Sequence, residues 1–136
     1  MDNLTPMQRK INMQNIRSFN TVPEQIIMKG LRKNGIYFAK HVKTIFGKPD
    51  IVFRRKRIIV FIDSDFWHKN PKIFVWPKSN IKYWSRKITN NCLRDKEVTK
   101  NLRKNGWKVV RIWESIIKKN PEKSVKRIMA LYFANE

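Results

Sequence analysis

The order of apolar segments predicts an α/β domain with a mixed central sheet flanked by helices. The segment 58–62 is apolar throughout, which is typical of a central strand covered on both faces. The segment 81–102 repeats apolar residues every three or four positions, as one face of a helix requires. Its length of 136 residues fits one domain, so we expect residues 1–136 to fold as a single unit.

Two helix starts precede the first strand. The segment 5–17 opens with a Thr-Pro pair and is mainly polar, which predicts a helix lying on a surface or against a partner. Thr21 and Glu24 have the spacing of a capping box, and the Asn-Gly pair at 34–35 ends the helix that they start.

The remaining elements follow in the order β-β-β-α-β-α. We predict strands at 37–42, 50–53, 58–62 and 107–113. Two prolines make the segment 66–79 irregular, and Asn80 is the expected cap of a helix to about Lys104. A last helix follows the Asn-Pro pair at 120–121. Asp95 falls on the apolar face of the long helix, where a carboxylate needs a partner.

The charge of the chain favours a polyanionic partner. Lys and Arg number 31 against 10 Asp and Glu, which gives a formal net charge of +21. Such a charge attracts a nucleic acid at long range and releases its counterions on contact. The alternative is a lysine-rich protein whose charge serves solubility alone.

Several classes of protein are not expected. One cysteine excludes an internal disulfide and any zinc site built from four cysteines of this chain. No apolar run of membrane-spanning length and no signal peptide are visible, so we expect an intracellular protein without a membrane span.

Carboxylates cluster at the ends of two predicted strands. Asp50 opens one strand, while Asp63, Asp65 and His68 end or follow the next. Paired strands would bring these ends together, and Mg²⁺ prefers oxygen ligands of this kind. Taken singly, each has an ordinary alternative: a turn aspartate, a solvated strand end or a structural histidine. Together they predict a magnesium site for chemistry on a nucleic acid.

The chain resembles the very short patch repair (Vsr) endonucleases through motifs that occur in order from about Met7 to Glu114. The motifs are GKPDIVF at 47–53, VFIDSDFWH at 60–68, WPKSN at 76–80, YWSRKI at 83–88, RD at 94–95 and GWKVVRIWE at 106–114. The resemblance implies a restriction-endonuclease-like fold of the PD-(D/E)xK group. It also implies Mg²⁺-dependent nicking of DNA on the 5′ side of the thymine in a T·G mismatch left by deamination of 5-methylcytosine.

The resemblance also assigns roles to residues. Asp50 matches the family's metal-binding aspartate, and His68 matches its catalytic histidine. Asp95 matches the carboxylate that orients that histidine, and Glu24 matches a glutamate near the metal-bound water. The residues that wedge into the duplex beside the mismatch match Met13, Phe66, Trp67 and Trp84, and residues 1–20 would form a DNA-contacting arm.

Three departures from the family pattern affect the metal sites. Asp65 stands at the first cysteine position of the family's structural zinc, the segment 69–72 lacks further ligands, and Ile117 lies near the last. We therefore predict no structural zinc. Ile62 and Asp63 stand where the resemblance implies a threonine and a histidine. If the first position serves the metal through its main-chain carbonyl, Ile62 suffices; if it serves through a hydroxyl, this chain has lost that ligand. Asp63 would supply a second carboxylate. The lysine of the D/E-x-K pattern is also missing.

These observations predict a monomeric DNA mismatch endonuclease of the bacterial cytoplasm, associated with the nucleoid and linked in function to a cytosine-5 DNA methyltransferase. One rival is a homing or restriction endonuclease on the same fold. The other is a non-catalytic basic DNA-binding module whose carboxylates are structural.

Overall fold

The computed structural model describes residues 21–134, where four strands and four helices follow one another in the order α-β-β-β-α-β-α-α. The strands are β1 (Ala39–Lys40), β2 (Ile51–Phe53), β3 (Ile58–Asp63) and β4 (Lys108–Trp113). The helices are α1 (Val22–Lys33), α2 (Ile81–Lys104), α3 (Glu114–Lys119) and α4 (Pro121–Ala134). The helix predicted over 5–17, the arm 1–20 and Met13 lie outside the described residues.

The strands form one mixed sheet in the order β1-β2-β3-β4. The first three strands are antiparallel neighbours, whereas β3 and β4 run parallel, with Asp63 opposite Trp113 in the register. The long helix α2 makes the crossover between the parallel pair, as parallel strands require. The predicted mixed sheet flanked by helices is therefore confirmed.

Apolar clusters cover both faces of the sheet, as the all-apolar sequence of β3 predicted. Ile58, Ile59 and Val60 of that strand have no exposed area. One cluster packs α1, α3 and α4 against the sheet through residues that include Ile27, Leu31, Ile51, Val60, Ile117 and Ile128. The opposite cluster packs α2 against the sheet through residues that include Val52, Ile59, Phe61, Val98 and Leu102.

The start of the long helix α2 and the length of β1 differ from the sequence prediction. Asn80 precedes α2 in a left-handed conformation (φ 55°) and makes no side-chain capping hydrogen bond, so its predicted role as a capping side chain was wrong. Ile81, expected on the apolar stripe, is 54% exposed because the packed face of α2 begins at Trp84. The strand predicted over 37–42 shortens to Ala39–Lys40.

Two further features position the carboxylates at the sheet edge. The Thr21–Glu24 capping box is present and fixes the first turn of α1. Gly47 has φ +86°, and a Cβ there would lie 2.4 Å from a methyl carbon of Val98. Only glycine allows the turn before Asp50 to approach α2 so closely.

Among residues 21–134, no helix combines the length and apolarity needed to cross a bilayer.

Candidate active site

One cavity of about 530 Å³ collects the polar ends of the central strands. Asp50 directly precedes β2 and Asp63 ends β3, and because these strands are antiparallel, both residues lie at the same edge of the sheet. The carboxylates that line the cavity are Glu24, Asp50, Asp63, Asp95 and Glu114, and His68 lines it too. The predicted meeting of strand-end carboxylates is therefore present in the fold.

Asp50 is anchored to the neighbouring strand. Its Oδ2 accepts a hydrogen bond from the main-chain N–H of Ile62 at 2.8 Å, which fixes the carboxylate across the strand pair. Burial raises the pKa of Asp50 well above its ordinary value, and the nearby Glu24 carboxylate raises it further. Burial disfavours the ionised form of this carboxylate, and a cation bound beside it would offset that cost.

Glu24, His41 and Asp50 form a group with the spacing of metal ligands. One ligand atom from each lies within 4.8 Å of the others, and His41 Nε2 is 4.0 Å from Glu24 Oε2. Two carboxylates fit Mg²⁺, which takes few protein ligands and retains waters, and one imidazole makes the group suitable for Mn²⁺ as well. The residues present therefore fit a divalent cation.

The sequence analysis did not select His41 as a metal ligand. It lies just after β1 with φ 49°, and its N–H donates to the carbonyl of Asp50. Two features of the sequence could have identified it: His41 is one of only two histidines, and it lies near the end of a predicted strand. Ile62 lines the cavity, and the assignment of its carbonyl to the metal stays a prediction.

His68 and Asp95 are brought into direct contact. His68 Nδ1 is hydrogen-bonded to Asp95 Oδ2, which joins the loop after β3 to the middle of α2. This contact supplies the partner expected for a carboxylate on the apolar face of that helix. With Nδ1 engaged, Nε2 is the ring nitrogen left for chemistry in the cavity.

Asp63 pairs with a cation that the sequence analysis did not assign to the site. Its Oδ1 accepts a hydrogen bond from Arg111 Nη1 at 3.0 Å and lies 3.8 Å from His68 Nε2. Burial raises the pKa of Asp63, while the His68 ring and the Arg111 guanidinium oppose that rise. Asp63 is not a member of the Glu24–His41–Asp50 group, and its predicted role as a metal ligand stays a prediction.

Asp65 joins the loop of His68 to the following helix. Its carboxylate accepts hydrogen bonds from the N–H and the hydroxyl of Ser115 at 3.1 and 2.8 Å, and from Asn70 Nδ2 at 2.8 Å. Asp65 thus caps the first turn of α3, a helix absent from the sequence prediction. A hydrogen-bonded clamp occupies the position where the family resemblance implied a zinc ligand.

The predicted wedge residues among the described part of the chain lie together but not at the surface. Trp67 and Trp84 are 1% and 2% exposed, and their rings meet edge to face with centroids 5.8 Å apart. Phe66 is half-buried against both. The exposed aromatic residues nearby are Trp76 and Tyr83, at 37% and 41%. Stacking of Trp67 or Trp84 on DNA therefore requires this cluster to open.

A second groove, of about 670 Å³, follows one side of α2 and is strongly basic. Its lining residues are Lys82, Tyr83, Arg86, Lys87, Asn90, Asn91 and Arg94. Arg94 also lines the carboxylate cavity, so the two depressions share a wall. These basic residues were not predicted as a site from the sequence, although their helical spacing beside the apolar stripe is visible there.

Comparisons with known proteins agree on one family. Residues 1–72 match the family described as DNA mismatch endonuclease Vsr. The chain is 43% identical over 126 residues to type II nicking enzyme V.HpaIIP of Haemophilus parainfluenzae, covering 90% of this chain and 89% of the relative. It is 40% identical over 124 residues to type II nicking enzyme V.NmeDIP of Neisseria meningitidis serogroup C, with 88% and 82% covered. Identity to the DNA mismatch endonuclease Vsr of Escherichia coli strain K12 is 29% over 111 residues, covering 81% and 71%.

Proposed function

The chain belongs to the Vsr family of DNA mismatch endonucleases, and on this premise we propose that it nicks one strand of double-stranded DNA at a T·G mismatch with the help of Mg²⁺. The membership makes it a nuclease acting on DNA. Single-strand cleavage is supported by the relatives named as nicking enzymes. We further propose that its mixed sheet has the PD-(D/E)xK topology of restriction endonucleases.

One observation carries the proposal: the His68–Asp95 pair lines the same cavity as Glu24 and Asp50, the two carboxylates of the Glu24–His41–Asp50 group. Hydrolysis of a phosphodiester needs a base to activate water and a positive charge to stabilise the phosphate and the leaving oxygen. A structural explanation for either group alone would not require them to share a cavity. The non-catalytic DNA-binding rival offers no reason for this arrangement.

His68 is the proposed general base. The Asp95 carboxylate holds the proton of the imidazole on Nδ1, so Nε2 is free to accept a proton from the attacking water. Asp95 also stabilises the imidazolium formed when that proton arrives. Mg²⁺ held by Glu24, His41 and Asp50 would polarise the scissile phosphate and stabilise the leaving oxygen.

The basic groove along α2 is the proposed contact surface for the DNA backbone. Lys82, Arg86, Lys87 and Arg94 line it, and it meets the carboxylate cavity at Arg94. Lysine and arginine hold phosphates without reading the base sequence, so this surface would set the position of the duplex. Specificity would come from the mismatch, because a mispaired step is the easiest to unstack.

Phe66, Trp67 and Trp84, with Met13 of the N-terminal arm, are the proposed wedge at the mismatch. In the described structure the three aromatic residues pack on one another, next to the loop that bears His68. Opening this cluster would replace their mutual contacts by stacking on bases. Coupling to His68 would then allow the catalytic loop to respond to the mismatch.

The cellular setting follows from the substrate. T·G mismatches arise when 5-methylcytosine deaminates, so we propose a functional link to a cytosine-5 DNA methyltransferase. An enzyme of this kind acts on the chromosome, in the bacterial cytoplasm at the nucleoid, and we propose that it acts as a monomer formed by a single domain over residues 1–136.

A cleavage assay on matched substrates tests the function against its rivals. The substrates are duplexes that differ only in one base pair, T·G or T·A, incubated with Mg²⁺ or with EDTA. Nicking of the T·G duplex alone, and only with the cation, supports the proposal. Cleavage of both strands of the T·A duplex would favour a restriction or homing endonuclease. Binding without cleavage of any duplex would favour the DNA-binding module.

A further inference from the structure

Arg111 places a guanidinium at the centre of the strand that borders the catalytic cavity. It lies on β4 directly opposite Phe61 in the parallel register, and its guanidinium carbon is 4.1 Å from the centroid of the Phe61 ring. The adjacent residues Val110 and Ile112 point to the opposite, apolar face of the sheet and are buried. A charged side chain in such a strand is costly unless its partners fix it.

Three hydrogen bonds orient the guanidinium. Nε donates to Thr99 Oγ1 at 2.8 Å, Nη1 donates to Asp63 Oδ1 at 3.0 Å, and Nη2 donates to the Asp95 carbonyl at 3.4 Å. A guanidinium has five N–H donors, so these contacts account for three of them. Thr99 and Asp95 belong to α2 and Asp63 to β3, and Arg111 thus ties both elements to β4.

The charge balance of the cavity calls for a fixed cation. Five carboxylates line the cavity, and a phosphodiester that enters it adds a further negative charge. The basic residues that line it are Lys48, Arg94 and Arg111, of which Lys48 and Arg94 are exposed and Arg111 is half-buried. Arg94 donates within its own helix, to Asn91 Oδ1 at 2.9 Å, whereas Arg111 is held by hydrogen bonds to two other elements, β3 and α2. A planar guanidinium also suits the paired oxygens of a phosphate.

We propose that Arg111 is a catalytic residue whose guanidinium contacts a non-bridging oxygen of the scissile phosphate in the cavity. Donors fixed before the reaction stabilise the charge that develops on the phosphate oxygens without reorganising during it. In this role Asp63 orients the guanidinium towards the phosphate through its hydrogen bond to Nη1. This inference rests on the proposed endonuclease function and extends it by assigning the residue that holds the substrate phosphate.

The first test compares two arginine variants that change the net charge equally. Arg111→Met removes the proposed contact, whereas Arg103→Met removes an exposed guanidinium that donates to the Val109 carbonyl on the same strand without lining the cavity. Single-turnover nicking of a mismatched duplex with saturating Mg²⁺ should fall about 10²- to 10³-fold in Arg111→Met, the loss typical of removing one preorganised donor. It should be unchanged in Arg103→Met, and DNA affinity should be similar in both.

A sulfur substitution separates phosphate contact from a structural role. The same rates are measured on duplexes whose scissile phosphate carries sulfur at one or the other non-bridging position. If Arg111 contacts one of these oxygens, sulfur at that position slows the wild type much more than it slows Arg111→Met. A structural role slows the variant on every substrate and leaves the sulfur effect unchanged. Should Arg111→Met melt early, Arg111→Lys keeps the charge and gives the same comparison.

The outcomes distinguish this inference from the function on which it rests. A wild type that nicks no duplex refutes the proposed function. An active wild type whose sulfur effects are equal in the Arg111 variant refutes only the phosphate contact. An active wild type with a sulfur effect that disappears in the variant supports both.

Discussion

The imidazole of His68 and the carboxylate of Asp95 are hydrogen-bonded across 27 positions of sequence. The contact joins the loop after β3 to α2, and these two segments also carry the cavity residues Ser64 and Arg94. The orientation of the proposed general base is therefore fixed by α2, the helix that connects the two parallel strands.

Substitutions of His68 and Asp95 should have non-additive effects on the nicking rate, because the two residues act together. His68→Ala is expected to lower single-turnover nicking by about 10²- to 10⁴-fold, the contribution of a general base. Asp95→Asn should lower it as well, because the amide no longer holds the imidazole proton on Nδ1. The double variant should be no slower than His68→Ala, since residues that act together do not add. Multiplicative losses would show that the two residues act independently.

Asp50→Asn should abolish nicking yet raise the melting temperature of the metal-free protein at neutral pH. Burial and Glu24 raise the pKa of Asp50 above its ordinary value of 3.8, so its ionised form opposes folding. The asparagine can still accept the hydrogen bond from Ile62. By linkage, the gain in melting temperature is full above the raised pKa of Asp50. It shrinks as the pH falls through that pKa and is absent below about 3.8, where the wild-type carboxyl is protonated in both the folded and the unfolded state.

The cation provides the control for this stability change. Mg²⁺ should raise the melting temperature of the wild type but not that of Asp50→Asn, because only the wild type has the full ligand group. Glu97→Gln, which removes an exposed carboxylate of α2 outside the cavity, should behave like the wild type. Equal stabilisation of all three proteins by Mg²⁺ would contradict the assignment of Asp50 to the cation.

The hydrogen bonds of Asp65 should hold the loop after β3 and α3 together without a structural zinc. We expect no stoichiometric zinc in the purified protein by metal analysis, and a loss of about 2–4 kcal/mol of unfolding free energy in Asp65→Ala, since hydrogen bonds to a charged group are lost. Ser115→Ala removes one of the three hydrogen bonds and should cost less. One zinc per chain would overturn the interpretation of Asp65 as a structural replacement for a ligand.

Variants of the aromatic cluster should distinguish a role in folding from a role in mismatch binding. Trp67→Ala is expected to cost about 3–5 kcal/mol of stability, because the side chain is buried. Phe66→Ala, at a half-buried site, should weaken binding to the T·G duplex about tenfold, within the roughly 1–3 kcal/mol of base stacking, and change binding to the T·A duplex much less. Phe38→Ala, on the opposite face of the sheet, serves as the control. An equal loss of both affinities in Phe66→Ala would refute the wedge.

The sequence predicted those features that follow from periodicity and from turn chemistry. The apolar run of β3, the stripe of α2 and the capping box at Thr21 each specify a local structure. The short helix α3 escaped prediction because its cap, Asp65, lies 50 positions away from Ser115. His41 and Arg111 were missed as site residues for the same reason. Strand pairing, which sequence spacing does not show, brings each beside a carboxylate.

The burial of Trp67 shows a different limit. Its neighbours in sequence are polar or charged on both sides of an aromatic pair, a pattern equally compatible with an exposed wedge and with a small separate core. The packing of Trp84 and Ile88 from α2 decides in favour of the core in the described structure. The sequence motifs placed Asp63 and His68 at the end of the central strand, where the structure has them, whereas tertiary packing fixed which side chains of the loop face the cavity.

A strand-resolved map of cleavage tests whether the protein is a mismatch-specific nicking enzyme. A duplex with one T·G mismatch is labelled differently on its two strands and incubated with the protein and Mg²⁺. We expect one nick, on the 5′ side of the mismatched thymine, with the guanine strand intact and with no product from His68→Ala. Cuts in both strands, or equal cutting of the T·A duplex, would contradict it.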